Sequence, residues 1–192
     1  KMKLKDVLKK LNSGDCPSGM TLDLGGSGSK VGGEGAQAIA HTLELGICPS
    51  RLSLKLGSCN IGEKGTQALA EALASGNCPS GLSLDLYGNN ISDKGAEALA
   101  KALMSGNCPK GLHLILSENN IGEKGMKVLA EALSTGKFPS GLSIGLFGNN
   151  IDDKGFEAVT KALTYGNCSN DLILCLQGNP ISDKGAQALA QA

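Results

Sequence analysis

The stretch Gly81–Lys110, GLSLDLYGNNISDKGAEALAKALMSGNCPK, decides the architecture. Thirty residues on, GLHLILSENNIGEKGMKVLAEALSTGKFPS begins at Gly111, and GLSIGLFGNNIDDKGFEAVTKALTYGNCSN follows from Gly141. Thirty back, RLSLKLGSCNIGEKGTQALAEALASGNCPS begins at Arg51. Self-similarity at a fixed period of this size marks a solenoid, in which each unit buries its apolar face by stacking on its neighbours.

Within the unit, Leu82, Leu84 and Leu86 alternate with Ser83 and Asp85. That period of two predicts a strand with one buried face. Asn89 follows, then Ile91, and the asparagine recurs as Asn119, Asn149 and Asn179, with Cys59 in its place once. A side chain with both donor and acceptor can satisfy backbone groups buried where the chain leaves a strand, so a stacked ladder of amides is expected. Next comes a helix. Ser92 reads as its N-cap and Asp93 as a negative charge on the first turn, where the helix dipole favours it. Ala96, Leu99, Ala100 and Leu103 form an apolar stripe at helical spacing, with alanines that let the helix lie close to the strands. Gly106 suits a left-handed cap, and Pro109 prevents continuation.

The pattern Leu84-x-Leu86-x-x-Asn89-x-Ile91, followed by Gly95, Leu99 and Leu103, resembles the ribonuclease-inhibitor type of leucine-rich repeat over nearly the whole chain, in six strand-bearing copies. The resemblance implies an α/β leucine-rich-repeat solenoid, a horseshoe with parallel strands on the concave face and helices on the convex face. It also implies a non-catalytic protein–protein interaction scaffold that binds a partner on the concave face. One departure is that Gly81 stands three positions before Leu84, where an apolar residue is usual, with Leu82 beside it. The near-identical units of the kind GNNISDKGAEALAKAL (Gly88–Leu103), with their Cys-Pro turns, are also similar to leucine-rich-repeat effectors that intracellular bacteria deliver into host cells. That likeness implies a host protein as partner and the host cytosol as location.

The expected organisation is a single domain over 1–192. An incomplete first unit spans 1–19, repeats span 20–51, 52–81, 82–111, 112–141 and 142–171, and an incomplete last repeat spans 172–192. Val7 and Leu11 align with Leu99 and Leu103, so the chain opens on the helical half of a unit, with Lys3, Lys5, Lys9 and Lys10 on a solvated face. The turn GGSGSKVGGEG from Gly25 is two residues longer than its counterparts, and Ser27 takes the asparagine position. It lacks the Gly-Lys-Ser/Thr ending of a P-loop and reads as a degenerate, glycine-rich turn rather than a phosphate cradle. The chain ends in an alanine-rich helix with no polar capping repeat, so either more repeats follow or a partner covers that end. Homo-oligomerisation through exposed repeat ends is the corresponding expectation.

Formal net charge is zero with mixed signs, which offers no basic field for nucleic acid or anionic lipid. There is no Trp and only five Phe plus Tyr (three and two), so few residues of the kind that anchor tight interfaces are available. Cys16, Cys48, Cys78, Cys108 and Cys168 share one repeat phase, and Phe138 fills that phase in another copy. A position that takes Cys or Phe reads as a buried apolar slot, and the seven cysteines as core thiols rather than disulfides or metal ligands. Without a CxxC pair or His cluster, no metal or cofactor is expected. An odd number of free thiols points to a reducing, cytoplasmic compartment. No signal peptide is read, and no apolar run is long enough to span a membrane.

Function should then lie on outward positions of the strand face. Equivalent positions of neighbouring strands stack ~4.8 Å apart, so Asp85 shares a column with Asp23, Lys55, Ile115, Gly145 and Cys175. The next column holds Tyr87, Ser117, Phe147 and Gln177, with Glu118 close by, and His113 and Ile173 fall in the column of Ser83. Apolar side chains at outward positions nominate a docking patch, and the candidate partner-binding residues are Asp85, Tyr87, His113, Ile115, Glu118, Phe147, Ile173, Cys175 and Gln177. Catalysis is not expected. His41 and His113 are the only histidines, and Cys175 with His113 would be two coils apart with nothing to orient the imidazole. Two other readings are a self-associating structural or spacer module and the recognition arm of a larger enzyme.

Overall fold

A computed structural model describes residues 2–26, 28 and 30–190, the side chain of Leu189 apart. The turn position Ser27, read as the counterpart of the asparagines, lies outside the described residues. Among them helices and strands alternate in the order α1 (Leu4–Asn12), β1 (Thr21–Asp23), α2 (Gly32–Glu44), β2 (Ser53–Lys55), α3 (Gly62–Ala74), β3 (Ser83–Asp85), α4 (Ser92–Met104), β4 (His113–Ile115), α5 (Glu123–Ser134), β5 (Ser143–Gly145), α6 (Asp153–Tyr165), β6 (Ile173–Cys175) and α7 (Asp183–Ala190). The strands form one parallel sheet in chain order, β1 to β6. Register is in phase with the repeat: Leu54, Leu84, Leu114, Ile144 and Leu174 lie opposite one another.

The leucine alternation does what its period requires. Leu82, Leu84 and Leu86 are fully buried, as are Leu112, Leu114 and Leu116 one coil on, each worth about 1.5–3 kcal/mol of hydrophobic stabilisation. The helices close this layer from behind through Leu99, Ala100, Ala102 and Leu103 and their counterparts. Val7 and Leu11 of α1 are buried in the same core, and Gly106 takes the left-handed conformation, with φ +76°.

The amide ladder is present and spans coils. Asn119 Oδ1 accepts from the N–H of Asn89 (2.8 Å) and Ile91 (3.3 Å), while its Nδ2 donates to Leu86 O (2.8 Å) and Ser117 O (3.1 Å). Asn89 serves Cys59, Ile61 and Leu56 in the same way, and Asn149 serves Asn119, Ile121 and Leu116. Each asparagine therefore completes the turn of the coil before it. At the exceptional position, the Cys59 thiol donates to Leu24 O at 3.3 Å, supplying the donor half of the amide's role.

One expectation needs correction and two need extending. Ser92 opens α4 at φ +61°, and the residue before it, Ile91, makes no side-chain cap. The Ser92 hydroxyl accepts from Lys94 N–H (3.3 Å), the capping bond expected of it, and also donates to Glu63 of the preceding coil (2.6 Å). Asp93 lies in the first turn of its own helix as expected and serves the next coil's helix start as well: Gly122 N–H (2.7 Å) and Gly125 N–H (3.0 Å) both donate to its Oδ1. Asp153 likewise reaches Ser182 N–H at 2.8 Å and its hydroxyl at 2.5 Å, and these bonds, the hydroxyl's first, hold its carboxyl below the usual range. Finally, the slot shared by Cys and Phe is buried only at Cys108 and Phe138; Cys16, Cys48, Cys78 and Cys168 are half-buried. Each of these five thiols donates to the carbonyl six residues earlier, as Cys78 does to Ala72 O at 3.3 Å.

The glycine at Gly65, Gly95, Gly125 and Gly155, part of the repeat pattern but given no role there, has a packing reason. A Cβ on Gly65 would fall 2.5 Å from Ile61 Cγ2 of its own coil, 2.9 Å from Ala36 Cβ and 3.1 Å from Gly33 Cα of the preceding helix. Only glycine permits this helix-to-helix approach.

Candidate concave interface

The strand register builds the columns expected of it. Asp23, Lys55, Asp85, Ile115, Gly145 and Cys175 are consecutive partners, as are Thr21, Ser53, Ser83, His113, Ser143 and Ile173. Past the strands, Gly88 N–H donates to Ser117 O (3.0 Å), Glu118 N–H to Phe147 O (2.9 Å) and Gly148 N–H to Gln177 O (3.1 Å). These bonds align Tyr87, Ser117, Phe147 and Gln177 as the third column.

Exposure sorts the nominated residues. Tyr87, Phe147 and Ile173 are 45%, 49% and 56% exposed, which for large apolar side chains on a regular sheet face is unusual as a group. His113, Glu118 and Gln177 are exposed as well, whereas Asp85, Ile115 and Cys175 are half-buried. Ser117, between the two rings, is buried. Tyr87 and Phe147 thus stand two coils apart, roughly 10 Å, over a floor of small residues. His113 and Cys175 lie on strands separated by β5, so the structure does not bring thiol and imidazole together.

Local chemistry fixes several of these groups. Asp85 Oδ1 accepts from Tyr87 N–H at 3.1 Å, and Asp23 Oδ1 from Gly25 N–H at 2.9 Å, so each carboxylate is anchored by one oxygen to its own strand end. The Glu118 carboxylate packs over Gly148, and the Phe147 ring lies over Gly178, where a Cβ would come within 2.8 Å of it.

One feature of this face is not apparent in any single repeat. In the first two coils Gly25 and Gly57 stand where later coils place Tyr87, Ser117, Phe147 and Gln177. The missing side chains leave a shallow cavity of about 290 Å³, walled by Tyr87 and lined by Asp23, Lys55 and Asp85. Aligning the repeats would have shown the two glycines. That they open a cavity depends on Tyr87 beside them, whose Cβ is 3.5 Å from the position a Gly57 Cβ would take.

Residues 82–100, 112–130 and 172–190 match a family model described as Leucine Rich repeat. Comparison with curated proteins gives no match. With six parallel strands in one sheet alternating with helices, the chain is an α/β leucine-rich-repeat solenoid of six repeats. Repeats of this kind generally serve as protein-interaction modules. Among the described residues no helix is long and apolar enough to cross a membrane, and no group of three or more His, Cys, Asp or Glu is placed to hold a metal ion.

Proposed function

We propose that the chain is a non-catalytic scaffold of the ribonuclease-inhibitor repeat type that binds a protein partner on its concave face. The observation that carries this reading is the group of Tyr87, Phe147 and Ile173, solvent-exposed on a sheet face whose other outward positions, the half-buried Ile115 apart, are small or polar. Large rings presented on a rigid sheet make good anchors because little conformational entropy is lost when they dock. Cys16, Cys48, Cys78 and Cys168, half-buried free thiols, support a reducing compartment, which for a bacterial effector is the host cytosol.

The test is a pull-down from cell lysate under reducing conditions, comparing the parent with the Tyr87→Ala/Phe147→Ala variant. Both should fold alike, since both rings are about half exposed. A protein retained by the parent and lost by the variant supports the reading; equal retention by both removes the concave patch.

A further inference from the structure

Resting on the concave-face reading, we infer that the partner element is an extended segment carrying two basic side chains about 10 Å apart. One is received by Asp85 with Tyr87, the other by Glu118 with Phe147. Each pair sets a carboxylate close to the backbone of a residue that carries an exposed ring. Asp85 and Tyr87 flank the space above Gly57, lying 3.7 Å (Oδ1) and 3.5 Å (Cβ) from where its Cβ would be. Glu118 N–H is bonded to Phe147 O (2.9 Å), and its carboxylate packs over Gly148, the residue after the ring. A guanidinium or ammonium group can lie over an aromatic face while donating to the carboxylate next to it.

Charge supports the sign. The groove holds the carboxylates of Asp23, Asp85 and Glu118 against one cation, Lys55, although the chain as a whole is neutral. On the helices, Glu97, Glu123 and Glu157 each pair with a lysine four residues on. Among the described residues, neither Asp85 nor Glu118 makes such a pair. Lys55 opposes a cation at the first position, which makes the Glu118–Phe147 position the stronger of the two.

Spacing supplies the rest. The two rings are two coils apart, ~9.6 Å at the strand spacing; Glu118 stands in the coil between them and its carboxylate reaches forward over Gly148 into the coil of Phe147. A polyproline II segment lying across the strands sets every third side chain on one side at about 9.3 Å. The segment therefore reads basic-x-x-basic. Between its two cations it presents side chains that face Ser117 and Ile115.

The test is selection of a phage-displayed dodecapeptide library on the immobilised chain, followed by fluorescence anisotropy of the enriched peptides. Binding is measured to the parent, to Asp85→Asn/Glu118→Gln and to Tyr87→Ala/Phe147→Ala. The expected result is enrichment of two Arg or Lys three positions apart, with binding weakened about fivefold for each neutralised carboxylate and weakened further by added salt. Uncharged or acidic peptides that tolerate Asp85→Asn/Glu118→Gln but not Tyr87→Ala/Phe147→Ala overturn the basic segment and leave the concave reading standing. Peptides bound equally by all three proteins overturn both. Failure to enrich any peptide overturns the proposed segment, and the lysate pull-down then judges the face.

Discussion

Replacing Asn119 by leucine removes an acceptor for two buried N–H groups and a donor for two carbonyls in a single step. A buried group left without a partner costs about 1–3 kcal/mol, so Asn119→Leu should lower unfolding free energy by roughly 3 kcal/mol or more. Asn179→Leu is the control. Asn179 is half-buried, so water can reach its partners, and the loss in chemical denaturation should be distinctly smaller. Equal losses would show that burial does not set the strength of the ladder. Gly65 makes a second prediction of opposite sign to the usual rule. Gly→Ala inside a helix normally stabilises by about 1 kcal/mol, but here the added methyl meets Ala36 and Gly33 of the neighbouring helix. Overpacking of this kind costs about 1–3 kcal/mol, so Gly65→Ala should lower the thermal midpoint. At this scale the amide's role was legible in the sequence, because Asn89, Asn119, Asn149 and Asn179 recur beside a strand end that needs donor and acceptor together. The reach of Asp93 was not legible, since a single unit read alone does not show the offset that brings the next helix start over its carboxylate.

The element that responds most to solution conditions is the column of thiols between helix ends and strands. Burial, with Cys16 adding to it, pushes the Cys48 thiol up to about 11, and burial together with Cys108 and Cys48 pushes Cys78 up to about 12. Burial also pushes Cys108 up to about 11. These groups stay protonated in the folded chain at pH values where the unfolded chain ionises. The unfolded state then binds fewer protons, and stability falls as pH rises. Stability should be level below the ordinary thiol range, near pH 9, and decline from there towards pH 11–12. Denaturant midpoints at pH 7, 9 and 10.5 check this; a flat profile would mean that the thiols are not held protonated. In the same way Cys78 should resist iodoacetamide at pH 8 in the native state and react fully on unfolding, as followed by peptide mass spectrometry. That a repeat position accepting Cys and Phe is apolar could be read from the sequence. Its partial exposure in four coils could not, because it depends on how far each helix end overhangs the next coil.

Across the whole molecule, the solenoid and its columns followed from periodicity alone, since in-phase parallel strands allow no other register. The interface followed less fully. Tyr87, Phe147 and Ile173 stand out as apolar residues at outward positions, but the cavity beside Tyr87 comes from side chains absent in two different units. Its contribution to binding is testable: Gly57→Leu should fill the cavity and weaken partner capture without altering thermal stability, because the Cβ meets only ordinary contacts. Retained capture would confine the interface to the later coils. The amides and the acidic side chains also point opposite ways along the array. Asparagines reach back to the preceding coil, whereas Glu63, Asp93, Glu123 and Asp153 reach forward to Ser92, Gly122, Lys154 and Ser182. From the coil of β2 onward a cut at a boundary therefore severs ties of both kinds, and only a whole unit can be added or removed with every tie remade. Such a molecule can lengthen by duplicating its thirty-residue segment, but an insertion of intermediate length throws both sets out of step at once. The one turn that is two residues longer, after β1, faces the coil where Cys59 has replaced the amide.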